Sequence, residues 1–153
     1  MENAMAISDK QCLQINQALF SLAHAYESRL AKQEARRPTG LTLADRSVLM
    51  VLGQLAPMNS RQLSRAMDIN PGTISVYVER LIRKDLVDKV QHAADRRHWL
   101  LSLTAAGQKA YRETVAGTVT YTRDFLSTLT ESEKRVLHQL LLKAAHSLGF
   151  KWE

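Results

Sequence analysis

Apolar residues recur along most of this chain at intervals of three and four, the spacing of one helix face. Cys12, Ile15, Leu19, Leu22 and Tyr26 form the first such stripe, and Leu30 continues it. Ser8 and Gln11 make a capping-box pair ahead of the stripe, and Pro38 and Gly40 stop it after Arg36. Thr42 and Asp45 make a second capping box, opening a short helix through Val48, Leu49, Val51 and Leu52 that Pro57 ends. Ser60 reads as the N-cap of a third helix carrying Leu63, Ala66 and Met67. Asp68-Ile69-Asn70 is a tight connection. Asn70 then caps a fourth helix with Pro71 at its first position, reaching about Lys84 with Ile74, Val78, Leu81 and Ile82 inward.

Beyond residue 84 the period changes. Leu86 to His92 is compatible with a strand, and Trp99, Leu101 and Leu103 at spacing two predict a half-buried one over His98 to Leu103. The residues between them, Ala93 to Arg97, suit a hairpin loop. Thr104 starts a fifth helix of modest apolarity, with Ala110, Val115, Val119 and Leu126. Thr130 and Glu133 cap a sixth, carrying Val136, Leu137, Leu140, Leu141, Ala144 and Leu148. The expected fold is mainly α with a small β-hairpin wing. It is a single domain whose winged helix-turn-helix lobe spans about 41–103.

Composition narrows the class. The chain has 153 residues, 45% of them hydrophobic, with six Gly and three Pro, so it is globular rather than disordered or collagen-like. The one cysteine, Cys12, excludes an intramolecular disulfide and a four-thiolate zinc site. No uncharged apolar run approaches the ~18 residues of a membrane span. The start, MENAMAISDK, lacks the features of a signal peptide. A cytoplasmic protein without membrane contact is expected. No Gly-rich phosphate loop, HExxH or GxSxG is present, and Gly72-Thr73-Ile74-Ser75 lacks the lysine of a P-loop. An enzyme is therefore not expected, nor a cofactor. The five histidines show no HxxxH spacing; His138 and His146, on one predicted helix, stand roughly 12 Å apart. No metal site is expected.

The net charge is +6. Between residues 59 and 98, however, eight basic residues stand against five acidic ones, so bulk charge says little and placement says more. A helix of this kind fits a major groove about 12 Å wide, its N-terminal residues reaching base edges. Asn70, Gly72, Thr73 and Ser75 there are short, Val76 suits a thymine methyl group, and Arg80 lies further along. Ser60, Arg61 and Arg65 on the first motif helix are placed for phosphates, which fix register without reading sequence. Arg96 and Arg97 at the hairpin tip suit a narrow minor groove, with Asp95 able to hold one of them.

Leu81, Asp95-Arg96-Arg97 and the run Leu100-Leu101-Ser102-Leu103-Thr104-Ala105-Ala106-Gly107 closely resemble the wing and following helix start of MarR-type transcriptional regulators. The resemblance covers nearly the whole chain in the same element order. It implies a homodimer joined through N- and C-terminal dimerisation helices, about 9–36, 104–128 and 131–148. Asn70 to Arg80 would be the recognition segment on double-stranded DNA, and Arg96 and Arg97 the wing readers. Apolar terminal helices too extensive for one small lobe to cover support the dimer independently. The sequence departs from the family at Asp85, where Gly is common; Gly takes a left-handed cap cheaply and Asp less so. The family's effectors imply a small phenolic or aromatic ligand, with Tyr26, Arg29 and Arg46 as lining residues chosen by predicted location. The alternatives are redox sensing through Cys12, near a helix N-terminus, and a winged helix that binds protein instead of DNA.

Overall fold

A computed structural model describes residues 7–36, 38–91 and 99–147. The elements run α1 (Asp9–Arg36), α2 (Leu43–Leu55), α3 (Ser60–Met67), α4 (Pro71–Arg83), β1 (Val87–Gln91), β2 (Trp99–Leu103), α5 (Ala105–Phe125) and α6 (Glu131–Ser147). A single 3-10 turn, Leu126–Thr128, follows α5. The chain divides into two compact units, Met1–Leu43 and Ala44–Glu153, so α5 and α6 fall in one unit with the winged lobe.

The first unit is essentially α1. Its start is the expected capping box: the Ser8 N–H donates to Gln11 Oε1 at 2.9 Å, and the Gln11 N–H donates back to Ser8 Oγ at 3.3 Å. Beyond its end, the Glu34 carboxylate accepts from the Thr39 hydroxyl (2.7 Å) and the Gly40 N–H (2.6 Å), with Gly40 at φ 67°. The helix buries none of its residues, and Leu13, Ile15, Leu19 and Phe20 are all more than half exposed.

In the second unit, α2, α3, α4 and the hairpin share a core. Val48, Leu49, Leu52, Leu63, Ile74, Val78, Leu81, Val87 and Leu101 are all fully buried. The strands pair antiparallel from Val87↔Leu103 to Gln91↔Trp99. Met58, between α2 and α3, adds a bridge to the hairpin: its N–H donates to the Leu101 carbonyl, and Leu101 donates back at 2.7 Å. β2 departs from the sequence pattern at Trp99, which is 52% exposed instead of facing the core with Leu101. The core lies at the hairpin base, and Trp99 stands at the far end of the ladder.

The hairpin joins its neighbours through backbone contacts. α4 ends in a Schellman motif, with Leu86 N–H on the Leu81 carbonyl and Asp85 N–H on the Ile82 carbonyl. Asp85 takes the left-handed position, at φ 57°. The Asp85 carbonyl then accepts from the Thr104 hydroxyl at 2.6 Å, while Thr104 Oγ1 caps the Gly107 N–H at 2.9 Å. Gly107 packs so closely on the Leu86 carbonyl that a Cβ there would overlap it. The Thr104-x-x-Gly107 spacing is thus what lets α5 start against the end of α4.

At the far end, Thr130 and Glu133 form the expected cap of α6, with the Thr130 N–H on Glu133 Oε2 at 2.8 Å. That backbone bond, helped by the Thr130 hydroxyl, holds the Glu133 carboxyl below its ordinary pKa. A depressed folded-state pKa adds stability that is present above the unfolded value and lost as pH falls through the folded one. The protection factors of amides at the start of α6, corrected for intrinsic exchange, are expected to fall over that acid range in the wild type and to lose this fall in Glu133→Gln. Asp85→Gly is expected to stabilise the fold by up to about 1 kcal/mol in urea denaturation. Gly107→Ala should cost at least about 2 kcal/mol in the same measurement, because the colliding atom is backbone.

Candidate nucleic-acid interface

The two motif helices are built on their caps. α3 is capped by Asn59, not by Ser60. The Gln62 N–H donates to Asn59 Oδ1 (2.9 Å) and the Asn59 N–H to Gln62 Oε1 (2.8 Å), a full capping box one residue earlier than the sequence pattern suggests. Asn competes well with Ser for the cap position, and Gln62 is what selects it. Ser60 becomes the first helical residue and is half-buried, while Arg61 and Arg65 are exposed.

The turn to α4 is also a Schellman motif. Ile69 N–H donates to the Ser64 carbonyl at 3.1 Å, Asp68 N–H to the Arg65 carbonyl, and Asp68 is left-handed at φ 52°. The buried Ser64 hydroxyl closes it by donating to the Ile69 carbonyl at 2.5 Å. Asn70 caps α4 through Oδ1, which accepts the Thr73 N–H at 2.9 Å, with Pro71 at the first turn. The side-chain oxygen of Asn70 therefore belongs to the helix. Ser75 returns its hydroxyl to the Pro71 carbonyl at 3.0 Å.

α4 presents two clear faces. Ile74, Val78 and Leu81 are buried, and Gly72, Ser75, Val76, Glu79 and Arg83 are exposed. Val76 is 56% exposed, an apolar group on a polar stripe. Thr73, Tyr77, Arg80 and Lys84 are half-buried along one flank. Arg80 turns inward there. Its Nε and Nη2 lie 2.7 and 2.6 Å from Asp45 Oδ1, and Lys84 Nζ lies 3.2 Å from Asp45 Oδ2. The Asp45 side chain has no exposed surface. The Arg80 guanidinium also lies 5.3 Å over the Tyr77 ring. Arg80, expected from sequence to face DNA, is thus an anchor between α4 and α2.

Asp45 was legible only as a capping partner for Thr42, since its ion-pair partners stand 35 and 39 residues away. The Tyr77–Arg80 stack follows helical i,i+3 spacing and was within reach of the pattern. Asp95, Arg96 and Arg97, the proposed wing tip, lie outside the described residues.

The remaining candidates lie on separate elements, α1 and α2. Tyr26 and Arg29 lie in the second half of α1, and Arg46 in the first turn of α2. A cavity of about 280 Å³ is lined by Thr118, Val119, Thr122, Arg123, Leu126 and Lys134, and includes none of those three. Cys12 is exposed on the first turn of α1. Among the described residues no cluster of His, Cys, Asp and Glu could hold a metal, and no helix is long and apolar enough to cross a membrane.

Comparison with known proteins bears on this arrangement. The model of the MarR family matches residues 39–98, from the approach to α2 into the segment between the strands. The chain is 30% identical over 113 residues to the HTH-type transcriptional repressor MdtR of Bacillus subtilis, covering 74% of this chain and 68% of that protein. Among solved structures, a probable transcriptional regulator from Pseudomonas aeruginosa superposes with a TM-score of 0.70 at 29% identity, covering 85% of this chain and 96% of that one. Streptococcus pneumoniae FabT, solved in complex with DNA, superposes at 0.78 with 20% identity, over 90% of this chain and 96% of that one. At that identity FabT speaks for the fold.

Removing one partner of a buried ion pair strands the other charge. Arg80→Ala is therefore expected to destabilise the protein by about 3 kcal/mol in urea denaturation, and Lys84→Ala by about 1 kcal/mol, since Arg80 makes the closer contacts. Equal costs would show that Arg80 is not the principal anchor.

Proposed function

This chain belongs to the MarR family of DNA-binding transcriptional regulators, and from that premise we propose that it binds a pseudo-palindromic operator as a homodimer. Members of the family are regulators, not enzymes. The observation that carries the reading is the exposed stripe of α4: Gly72, Ser75 and Val76 stand clear on a helix whose opposite face is locked into the core. A helix start of small residues lets base edges approach, and an exposed valine gains by covering a thymine methyl group. Thr73 and the amide of Asn70 flank that stripe. Arg61 and Arg65, exposed on α3, take phosphates beside Ser60, and Asp95, Arg96 and Arg97 serve the adjacent minor groove.

The apolar surface left uncovered supports a dimer. α1 and α6 each bury none of their residues, yet they carry Leu13, Ile15, Leu19 and Phe20, and Val136, Leu140 and Leu141, all at least half exposed. Apolar stripes of this length call for a partner, and a second copy is the one the family fold supplies. Two-fold symmetry then sets two α4 helices about one DNA turn apart, roughly 34 Å. A small phenolic or aromatic ligand would release DNA by preferring a different spacing of those helices. The cavity along α5, with Val119 and Leu126 beside Arg123 and Lys134, has apolar walls and cations suited to such a ligand. Redox control through Cys12 is not favoured by the relatives found.

The test is duplex binding as a function of salt, with sizing by light scattering. A dimer is expected, with affinity falling steeply as salt rises. Arg61→Ala and Arg65→Ala should each flatten the slope of log K against log salt by about 0.9 and weaken binding to all sequences alike. Val76→Ala should instead relax preference at one base pair, by roughly 1 kcal/mol. A monomer, or binding to protein that survives salt without any binding to duplex DNA, would overturn the reading.

A further inference from the structure

The recognition helix and its cap carry three cations, Arg80, Arg83 and Lys84, and Asp45 of α2 engages two of them. These contacts are not surface pairings of the kind that salt dissolves. Asp45 is wholly buried, Arg80 meets it through two nitrogens, and the Arg80 and Lys84 side chains are themselves only 29% and 31% exposed. Arg83 is exposed on the stripe that also carries Glu79, four residues earlier. The helix that would lie deepest in the groove therefore brings little net positive charge to it.

Sequence-independent affinity for DNA comes from cations that neutralise phosphates, each contributing about 0.9 to the slope of log K against log salt. A cation held on a buried carboxylate is lost to that pool. We propose that Asp45 is a positioning residue that determines DNA discrimination, by keeping Arg80 and Lys84 of the recognition helix off the phosphates. With that charge withdrawn, α4 gains little from a wrong sequence. Base contacts by Ser75 and Val76 then account for a larger share of what it gains from the right one. The proposal rests on the reading that α4 faces DNA.

Asp45→Asn keeps the shape and removes the charge. Its binding is compared with that of wild type on two probes, a random-sequence duplex and the duplex recovered by in vitro selection, across a salt series. The salt slope on random duplex is expected to steepen by about 0.9 for one released cation and about 1.8 for two. Affinity for random duplex should rise several-fold at low salt, and the ratio of selected to random affinity should fall. A purely structural role predicts weaker binding to both probes with no steeper slope, and that result would overturn the proposal.

Lys84→Gln decides the matter independently of how well Asp45→Asn folds, because it leaves the Asp45–Arg80 contact in place. If the lysine is sequestered, the variant should match the wild-type slope on both probes. A slope flatter by about 0.9 would mean that Lys84 already sits on a phosphate, and the proposal fails. Wild-type protein that binds neither duplex sinks the DNA reading together with this one. Wild-type binding with unchanged slopes in Asp45→Asn sinks this inference alone.

Discussion

At the start of α2, a carboxylate with no exposed surface meets two cations spaced one helical turn apart, Arg80 on α4 and Lys84 at its C-cap. Taking such charges out of water costs several kcal/mol per ion, and the attraction between them roughly offsets that cost. The net contribution to stability is accordingly small. What the contact does supply is direction. Hydrophobic burial is non-directional, so Ile74, Val78 and Leu81 would fill much the same core if α4 rotated slightly or slid along α2. Asp45 does not tolerate that freedom. Oδ1 must meet Arg80 while Oδ2 meets Lys84, and a shift of one residue along α4 turns both partners about 100° away. Which side chains stand on the outer stripe is therefore settled by an ion pair on the flank.

The ends of α3 and α4 carry the same logic into the backbone. Each helix closes with an aspartate in the left-handed position, and each closure uses two carbonyls that would otherwise be orphaned. After the first closure the chain has two residues before Pro71 starts α4. After the second it has one before β1. Thr104 then ties the root of β2 to Asp85, and Gly107 lets α5 rest directly on the Leu86 carbonyl. Recognition helix, hairpin and α5 are thus joined by main-chain contacts and one short hydroxyl side chain, with no long flexible side chain among those contacts. Gly53 adds a further close approach, since a Cβ there would strike the Tyr111 ring of α5.

The element order, three of the caps and the wing root were legible because each depends on residues a few positions apart. Ser8 with Gln11, Asn70 with Thr73 and Thr130 with Glu133 are contacts between residues three apart. The cap of α3 was misplaced by one residue because Asn59 and Ser60 are both good caps, and only the reach of Gln62 separates them. Trp99 looked inward because alternation alone does not tell how far along a hairpin the core extends. The contact between Asp45 and Arg80 went unread for a different reason. Their pairing spans 35 residues, and an arginine on a recognition helix looks the same in sequence whether it meets a phosphate or a carboxylate. Charge placement could be read from the chain; charge availability could not.

That difference bears on how a dimer would achieve affinity. A lobe whose recognition helix carries little usable charge binds one half-site weakly, and adding cations would strengthen wrong sites as much as right ones. Linking two such lobes solves the problem without new contacts. Once one is seated, the second meets its half-site at a millimolar effective concentration, provided that the spacing fits. Selectivity then multiplies across the two half-sites, and the distance between them becomes part of what is recognised. In such a dimer the helices carrying Leu13, Ile15 and Leu19, or Val136, Leu140 and Leu141, all at least half exposed, would influence DNA binding through the interface they form. Their packing would fix the separation of the lobes. If neither lobe held DNA well alone, a change of a few ångströms in that separation would cost nearly the whole second binding step.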